Sequence, residues 1–268
     1  MKNRALPLLE MTNVSVTRGD NLALDRLSLR IEAGEHVCIL GPNGSGKSTL
    51  IKTITRECYP LEREGSWMRI LGRERWDIFA LRTQLGIVTP DLLASCTTDS
   101  TGRDVVLSGF FSSTRIFPHH HPDSSEVARA DAVLRRLGIA HLADRAVREM
   151  SSGEAKRTLI ARALVHEPHT LLFDEPATAL DIRAQLQLQD TLRDLARHGI
   201  AILLVTHHVS EIIPEIKRVI LLQQGKILAD GPTGEVLTEE NLRALFAVEV
   251  RLYRQDGFFH LVGRPAVG

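Results

Sequence analysis

Apolar residues in this chain follow a two-residue period in some stretches and a helical period in others, and the switch between them outlines the elements. Residues 11–16 and 22–31 are alternating or β-branched runs broken at Arg18-Gly19-Asp20-Asn21 and at Ala33-Gly34. That pattern predicts paired strands. Residues 36–40 form a short continuous apolar run, as a strand buried on both faces does. A glycine-rich turn follows, then a predicted helix over 46–55. Further strands are expected at 67–71 and 85–88, the latter ending at Thr89-Pro90. Residues 91–125 are rich in Ser, Thr, Pro and His, with the start of a helix at 103–107. Ser124 or Ser125 can cap a helix carrying Val127, Ala130, Val133, Leu134 and Leu137, closed by Gly138. Leu159, Ile160, Ala163 and Leu164 mark another helical face after Gly153. Strands at 170–173, 200–206 and 219–222 then alternate with a helix capped by Asp181, whose expected apolar face is Ile182, Leu186, Leu192 and Leu195. Asp256-Gly257 reads as a hairpin turn between 248–254 and 258–262.

This is an α/β pattern interrupted by a helical insert. Strand–helix alternation favours a mainly parallel sheet with a ligand at the carboxyl ends of its strands. The chain has 268 residues, 43% of them hydrophobic and 25% charged, enough for a buried core. Acidic and basic side chains balance at 33 each, which gives no bulk attraction for nucleic acid or anionic lipid. Cys38, Cys58 and Cys96 have no metal-ligand spacing, and a reduced, cytosolic setting is the simplest expectation. No sustained apolar stretch follows Met1-Lys2-Asn3-Arg4, so no signal peptide is expected. The apolar runs fall far short of the ~20 residues a membrane-spanning helix needs.

The chemistry concentrates in a few segments. Gly41-Pro42-Asn43-Gly44-Ser45-Gly46-Lys47-Ser48-Thr49 fits a G-x-x-x-x-G-K-[S/T] loop between a strand and a helix. Small residues there let backbone N–H groups curl around phosphate oxygens, and the next helix points its positive end at the same anion. Lys47 suits the β- and γ-phosphates of a bound nucleotide, and Ser48 a Mg²⁺ ion. In Leu171-Leu172-Phe173-Asp174-Glu175-Pro176 an apolar strand ends in two carboxylates. Asp174 suits the Mg²⁺ shell and Glu175 can polarise an attacking water. Taken alone, such a pair is more often a solvated edge or a helix cap. Met150-Ser151-Ser152-Gly153-Glu154 can be an anion-binding helix start or an ordinary N-cap with an acid in the first turn.

In order, Gly41 to Thr49, Met150 to Glu154, Leu171 to Pro176, Ala179-Leu180-Asp181 and Thr206-His207 resemble the Walker A, signature, Walker B, D-loop and switch-histidine motifs of ABC ATPases. The resemblance covers nearly the whole chain, including the turns at Gly225-Lys226-Ile227 and Gly231-Pro232. It implies a RecA-like P-loop NTPase core with an N-terminal antiparallel β-lobe and an inserted α-helical subdomain. The expected domain is 8–248, with core and lobe at 8–90 and 166–248, a helical subdomain at 91–165, and a C-terminal hairpin extension at 249–268. The implied cofactors are ATP and Mg²⁺. ABC ATPases sandwich two ATP molecules between head-to-tail subunits. Ser151, Ser152, Gly153 and Glu154 would then meet ATP held by a partner, most simply a second copy. Glu175 would be the general base, His207 would contact the γ-phosphate, and Asp181 would link the two sites. His207 could also be a strand-end histidine without a task, and Asp181 a plain cap.

The resemblance further implies a subunit that powers a separate membrane permease, with or without a solute-binding protein, from the cytoplasmic face of the cell membrane. The segment 237–262 looks like importer ATPases for iron complexes. A soluble ABC protein acting on nucleic acid or the ribosome is the alternative, and a non-hydrolysing nucleotide sensor a third. The neutral charge speaks against nucleic acid as a partner. Three departures stand out. Thr89-Pro90-Asp91 replaces the glutamine segment of the family, Arg18 stands where an aromatic ring usually stacks on adenine, and Glu154 stands where the signature has glutamine. A guanidinium can also stack on a base. His119-His120-His121 is read as a solvated loop rather than a metal site, and Trp67 and Trp76 as core or lobe-interface residues.

Overall fold

A computed structural model describes residues 6–264. Its strands and α-helices run β1 (Leu9–Arg18), β2 (Asn21–Ile31), β3 (Val37–Leu40), α1 (Lys47–Ile54), β4 (Trp67–Ile70), α2 (Ile78–Gln84), β5 (Leu85–Val88), α3 (Pro90–Cys96), α4 (Gly102–Leu107) and α5 (Ser124–Arg136). They continue with α6 (Ser152–Leu164), β6 (Thr170–Asp174), α7 (Ile182–Arg197), β7 (Ala201–Thr206), β8 (Arg218–Gln223), β9 (Lys226–Pro232), α8 (Thr233–Val236), α9 (Glu239–Phe246), β10 (Glu249–Gln255) and β11 (Phe258–Arg264). The chain divides into two compact units, Met1–Ile78 with Ala201–Gly268, and Phe79–Ile200. The expected helical insert at 91–165 lies within the second. Residues 265–268 of the expected C-terminal extension, and the N-terminal residues 1–5, lie outside the described residues.

The first unit holds an antiparallel sheet in the order β2-β1-β4. Leu9 pairs with both Ile31 and Ile70, and all three side chains are buried. A second set of strands centres on β3, which pairs in parallel with β7 and with β8, while β9 returns antiparallel to β8. Val37, Cys38, Ile39 and Leu40 are all buried, which is why this strand reads as a continuous apolar run. Full burial of side chains of that size stabilises by roughly 1.5–3 kcal/mol each. The hairpin of β10 and β11 pairs Gln255 with Phe258, leaving Asp256-Gly257 as the turn at φ 51° and 85°. Positive φ at both turn residues matches the right-handed twist of the flanking strands.

In the second unit β5 pairs in parallel with β6. Gly86 lies so close to α6 that an added Cβ would sit 2.7 Å from the Ala163 carbonyl and 2.3 Å from the Leu171 side chain. The helical core gathers Val106, Ala130, Leu134, Leu142, Ala161 and Val165. Helix α5 is capped by Asp123 rather than by Ser124 or Ser125. Its carboxylate accepts from Ser125 and Glu126 N–H while Glu126 accepts in return from the Asp123 N–H. A carboxylate accepts such bonds more strongly than a hydroxyl does.

Several elements differ from the sequence expectation. Helices α2, α3, α8 and α9 lie outside the sequence expectation, and Lys226–Pro232, expected as two turns, forms strand β9. On α7 the buried face is Leu188, Leu192 and Leu195, whereas Ile182 and Leu186 are 77% and 57% exposed. At 3.6 residues per turn Leu188, Leu192 and Leu195 share one stripe, whereas Ile182 and Leu186 lie on a different side of the helix. The histidine loop is packed rather than simply solvated. His120 stacks on Phe111 with ring centroids 4.4 Å apart, and its Nδ1 accepts from the Phe117 N–H at 3.2 Å. Among the described residues no group of three or more His, Cys, Asp or Glu is placed to hold a metal ion. Trp76 is partly buried and donates to the Ile70 carbonyl at 2.7 Å. Trp67 is exposed, with Arg69 stacked over its ring.

One buried contact carries a pH dependence. The His36 Nδ1 accepts from the Ile202 N–H at 3.2 Å, so the ring is neutral there, and burial holds its pKa below the ordinary value. Stability from this contact is fully present above the unfolded value of about 6.5 and is lost as the pH falls from there through the folded value. Burial lowers His166 and His120 in the same direction. We expect the thermal midpoint, measured by circular dichroism, to change little from pH 7.5 to about pH 6.5 and to fall from there to about pH 5. His36→Gln should flatten part of that slope, and an unchanged slope would show that His36 contributes nothing.

Candidate nucleotide site

The loop between β3 and α1 is built from glycines that the packing requires. Gly44 and Gly46 have φ of 80° and 105°. An added Cβ on Gly46 would stand 2.6 Å from the Ala23 carbonyl, and one on Gly41 would stand 2.3 Å from the Leu222 carbonyl. Helix α1 begins at Gly46 with no side-chain cap, and the Leu50 N–H is bonded to the Gly46 carbonyl. Its first-turn N–H groups and the positive end of its dipole are therefore available to an anion. Ser45 is buried, and among the described residues its Oγ has no hydrogen-bond partner. Lys47 is also buried and donates to the Gly41 carbonyl at 2.8 Å and the Pro42 carbonyl at 3.0 Å. The ammonium is thus held folded against the loop it serves. Ser48 is exposed and Thr49 buried, while Asn43 is open to solvent. An uncapped helix start, an orphan hydroxyl and a buried ammonium fit a phosphate chain.

Two further parts of the first unit hold this loop. The Gly41 N–H donates to the Thr206 carbonyl at 3.2 Å, which ties the loop to the end of β7 and so to His207. The His207 and His208 rings lie 3.9 Å apart, and the Thr206 Oγ accepts from the His208 N–H. The second support is the β8–β9 turn. Gly225 donates from its N–H to the Ser45 carbonyl at 2.8 Å, and its carbonyl accepts from Asp25 N–H at 3.0 Å. At φ 74°, a Cβ on Gly225 would also meet the Ala23 carbonyl at 2.6 Å. Gly225 was legible in sequence only as a turn residue, and Ala23 carried no signal at all. Arg18 ends β1, exposed, opposite Asn21.

The remaining candidates belong to the second unit. Asp174 closes β6, and Glu175 follows at φ 45°. A left-handed non-glycine residue costs of order 1–3 kcal/mol and persists only where its surroundings impose it. Ser151 caps α6 through a reciprocal pair: its Oγ accepts from the Glu154 N–H at 3.3 Å, and a Glu154 oxygen accepts from the Ser151 N–H at 2.8 Å. The same oxygen accepts from the Ser151 hydroxyl at 2.8 Å. The Ser151 N–H, assisted by that hydroxyl and by Arg145, holds the Glu154 carboxyl below its ordinary pKa against the effect of burial. Glu154 is therefore part of the cap of α6. Ser152 is exposed. Gly153 permits α6 to approach α7, since a Cβ there would stand 2.9 Å from the Ala184 Cβ. Asp181 caps α7 by accepting from the Ala184 N–H at 2.7 Å. Ser151 to Glu154 and Asp181 are thus brought together at the adjacent starts of α6 and α7.

At the departure near Pro90 the structure gives a plain account. Thr89 caps α3, accepting from the Leu92 N–H at 3.3 Å, and Pro90 is the first helical residue. The segment is a well-formed helix start, the position where proline is most readily accepted.

Comparison with known proteins agrees with this architecture. A family model described as ABC transporter matches residues 24–178. The hemin import ATP-binding protein HmuV of Bordetella avium is 35% identical over 254 residues, covering 90% of this chain and 92% of that protein. Among solved structures, CbiO1 of Clostridium perfringens, part of the ABC transporter complex CbiONQ, superposes with a TM-score of 0.73 at 27% identity, covering 89% and 94% of the two chains. The cassette MJ0796, solved as a dimer bound to ADP and Pi, gives a TM-score of 0.69 at 25% identity, covering 84% of this chain and 98% of that one. The chain belongs to the ABC transporter family as an ATP-binding subunit. It is an ATPase with the RecA-like P-loop fold of that family's cassettes and a separate antiparallel sheet lobe.

Gly225→Ala tests the support of the loop. We expect it to lower stability by about 1–3 kcal/mol through strain at positive φ, and to weaken ATP binding because Ser45 is displaced. Denaturant melts and titration with a fluorescent nucleotide check both. A variant with native stability and native affinity would show that the turn does not support the loop.

Proposed function

We propose that this chain is the ATPase subunit of an importer, acting as a head-to-tail pair of identical subunits on a separate membrane permease. The likeness to a hemin import ATP-binding protein over nearly the whole of both chains carries this reading. Solution as a dimer of a related cassette supports the pairing. Two exposed apolar side chains beside Asp181, Ile182 and Leu186, support it further. No helix among the described residues is long and apolar enough to cross a membrane, which suits a subunit docked on the cytoplasmic face of its permease. Hemin, the cargo in the relative's name, is the first substrate to test.

In this reading the cassette comprises 8–248, with 91–165 as its helical subdomain. The loop Gly41 to Thr49 binds the phosphates of ATP, with Lys47 turning from its loop carbonyls to the β- and γ-phosphates. Arg18 lies against the adenine. Ser151, Ser152 and Gly153, at the start of a helix whose dipole favours anions, close on the γ-phosphate held by the partner subunit. Glu154 keeps Ser151 in its capping conformation, and Asp181 faces the dimer axis. Glu175 accepts a proton from the attacking water, and His207 donates to the γ-phosphate. The hydroxyl of Ser48 and the carboxylate of Asp174 are hard oxygen donors, and they fit Mg²⁺. When bound, that ion offsets phosphate charge.

Glu175→Gln should retain ATP binding, lose about 100- to 10,000-fold in turnover, and accumulate as an ATP-bound dimer in size-exclusion chromatography with light scattering. Turnover at the native rate would remove Glu175 from the role of base.

A further inference from the structure

We propose that Lys156 is a positioning residue for hydrolysis, linking the signature helix to the backbone that carries Glu175. This rests on the reading of Glu175 as the base. Lys156 lies one turn into α6, beyond the capped start at Ser151. Its side chain is buried, and its ammonium donates to the Pro176 carbonyl at 2.6 Å and to the Thr178 carbonyl. Those carbonyls belong to the turn that runs from Glu175 to Asp181.

That turn is constrained at few places by its own backbone. The Thr178 N–H bonds to the Glu175 carbonyl at 3.2 Å and the Leu180 N–H to the Ala177 carbonyl at 3.1 Å. Glu175 and Ala179, on either side of the two carbonyls, are left-handed at φ 45° and 63°. Neither residue is glycine, so both relax unless held. At its far end the turn is fixed by Asp181 on the Ala184 N–H and by the Gln185 side chain, which donates to the Leu180 carbonyl at 2.9 Å. At the Glu175 end, the buried ammonium of Lys156 supplies the matching restraint. Gly153 packs beside Ala184 in the first turn of α7, so α6 contacts both the helix that follows the turn and, through Lys156 three positions on, the turn itself. Motion of the signature serines on meeting a phosphate is therefore transmitted to the Glu175 backbone through one helix and one side chain.

A hydrogen-bond donor of the right reach is what the position demands. Methionine matches the length of lysine without a donor, arginine donates from a planar fork, and glutamine donates from a shorter stem. The bonds of Lys156 to the Pro176 and Thr178 carbonyls lie in the turn that follows Glu175, so its loss is expected to act on turnover and not on ATP affinity.

The test compares K156M, K156Q, K156R and E175Q in the full chain, reading kcat, KM for ATP and the Kd of a fluorescent ATP analogue. K156M should lose about 10- to 100-fold in kcat, the range a small misplacement of a reacting group produces. Its KM and Kd should stay within about threefold of native. K156R should recover most of the lost rate, and K156Q part of it. If K156M does not fold, K156Q is judged by the same division between kcat and Kd. Native kcat in a folded K156M, with E175Q inactive, overturns the role of Lys156 alone. Equal losses of kcat and ATP affinity overturn it as well, because they mark a merely structural lysine. Native turnover in E175Q overturns the assignment of the base itself.

Discussion

The first unit is organised around the uncapped start of α1. Helices normally satisfy their first N–H groups with a side chain, and here the capping position is Gly46, which has none to offer. The helix start must therefore be held from behind, by backbone alone. Gly46 and Gly225 both press against the Ala23 carbonyl, and Gly225 anchors Ser45 through its N–H. The antiparallel lobe, the β8–β9 turn and the end of β7 thus converge on one loop. Any of these glycines could be replaced in an ordinary turn at modest cost, but not where a carbonyl stands 2.6 Å from the missing Cβ.

The second unit uses the opposite device. The start of α6 is fully capped, by the reciprocal bonds of Ser151 and Glu154, and so is that of α7, by Asp181. Glu154 presents an ionised carboxylate whose charge is met by Ser151 and Arg145. Capping leaves Ser152 and the approach of Gly153 to α7 as the features open to function. In the proposed reading, the contrast between the bare start of α1 and the locked start of α6 suits a loop that binds phosphate and a motif that closes on it.

Much of this was legible in the sequence, and the reasons are specific. The loop at Gly41 to Thr49 follows from glycine spacing after an apolar run, because Gly44 and Gly46 stand at positive φ and neither Gly41 nor Gly46 has room for a Cβ. The boundaries of β5, β6 and β7 followed from apolar runs bounded by polar residues. Helix α3 has Thr89-Pro90 as a sound cap and first position, but its seven residues are too few for a clear period. Helix α9 likewise has Thr238 as cap and two glutamates in its first turn, but only eight residues, too few for a clear period. Ile182 and Leu186 are apolar like Leu192 and Leu195, but at 3.6 residues per turn they fall on a different side of α7 from the buried leucines. The contacts of Ala23, Gly225 and Lys156 were invisible for a different reason. Each acts through backbone atoms distant in sequence, and side-chain type alone does not announce such contacts.

The central claim is that each ATP is bound by the loop of one subunit and completed by the signature of another. Mixing two inactive variants tests it most directly. Lys47→Ala removes the loop's charge, and Ser152→Glu sets an acid against the γ-phosphate while remaining compatible with a helix start. In a head-to-tail pair, a mixed dimer brings both lesions to one site and leaves the other intact. ATP trapped by the mixed dimer, with turnover restored above that of either variant alone, is the predicted result. A mixture that neither traps ATP nor turns over would contradict the shared site.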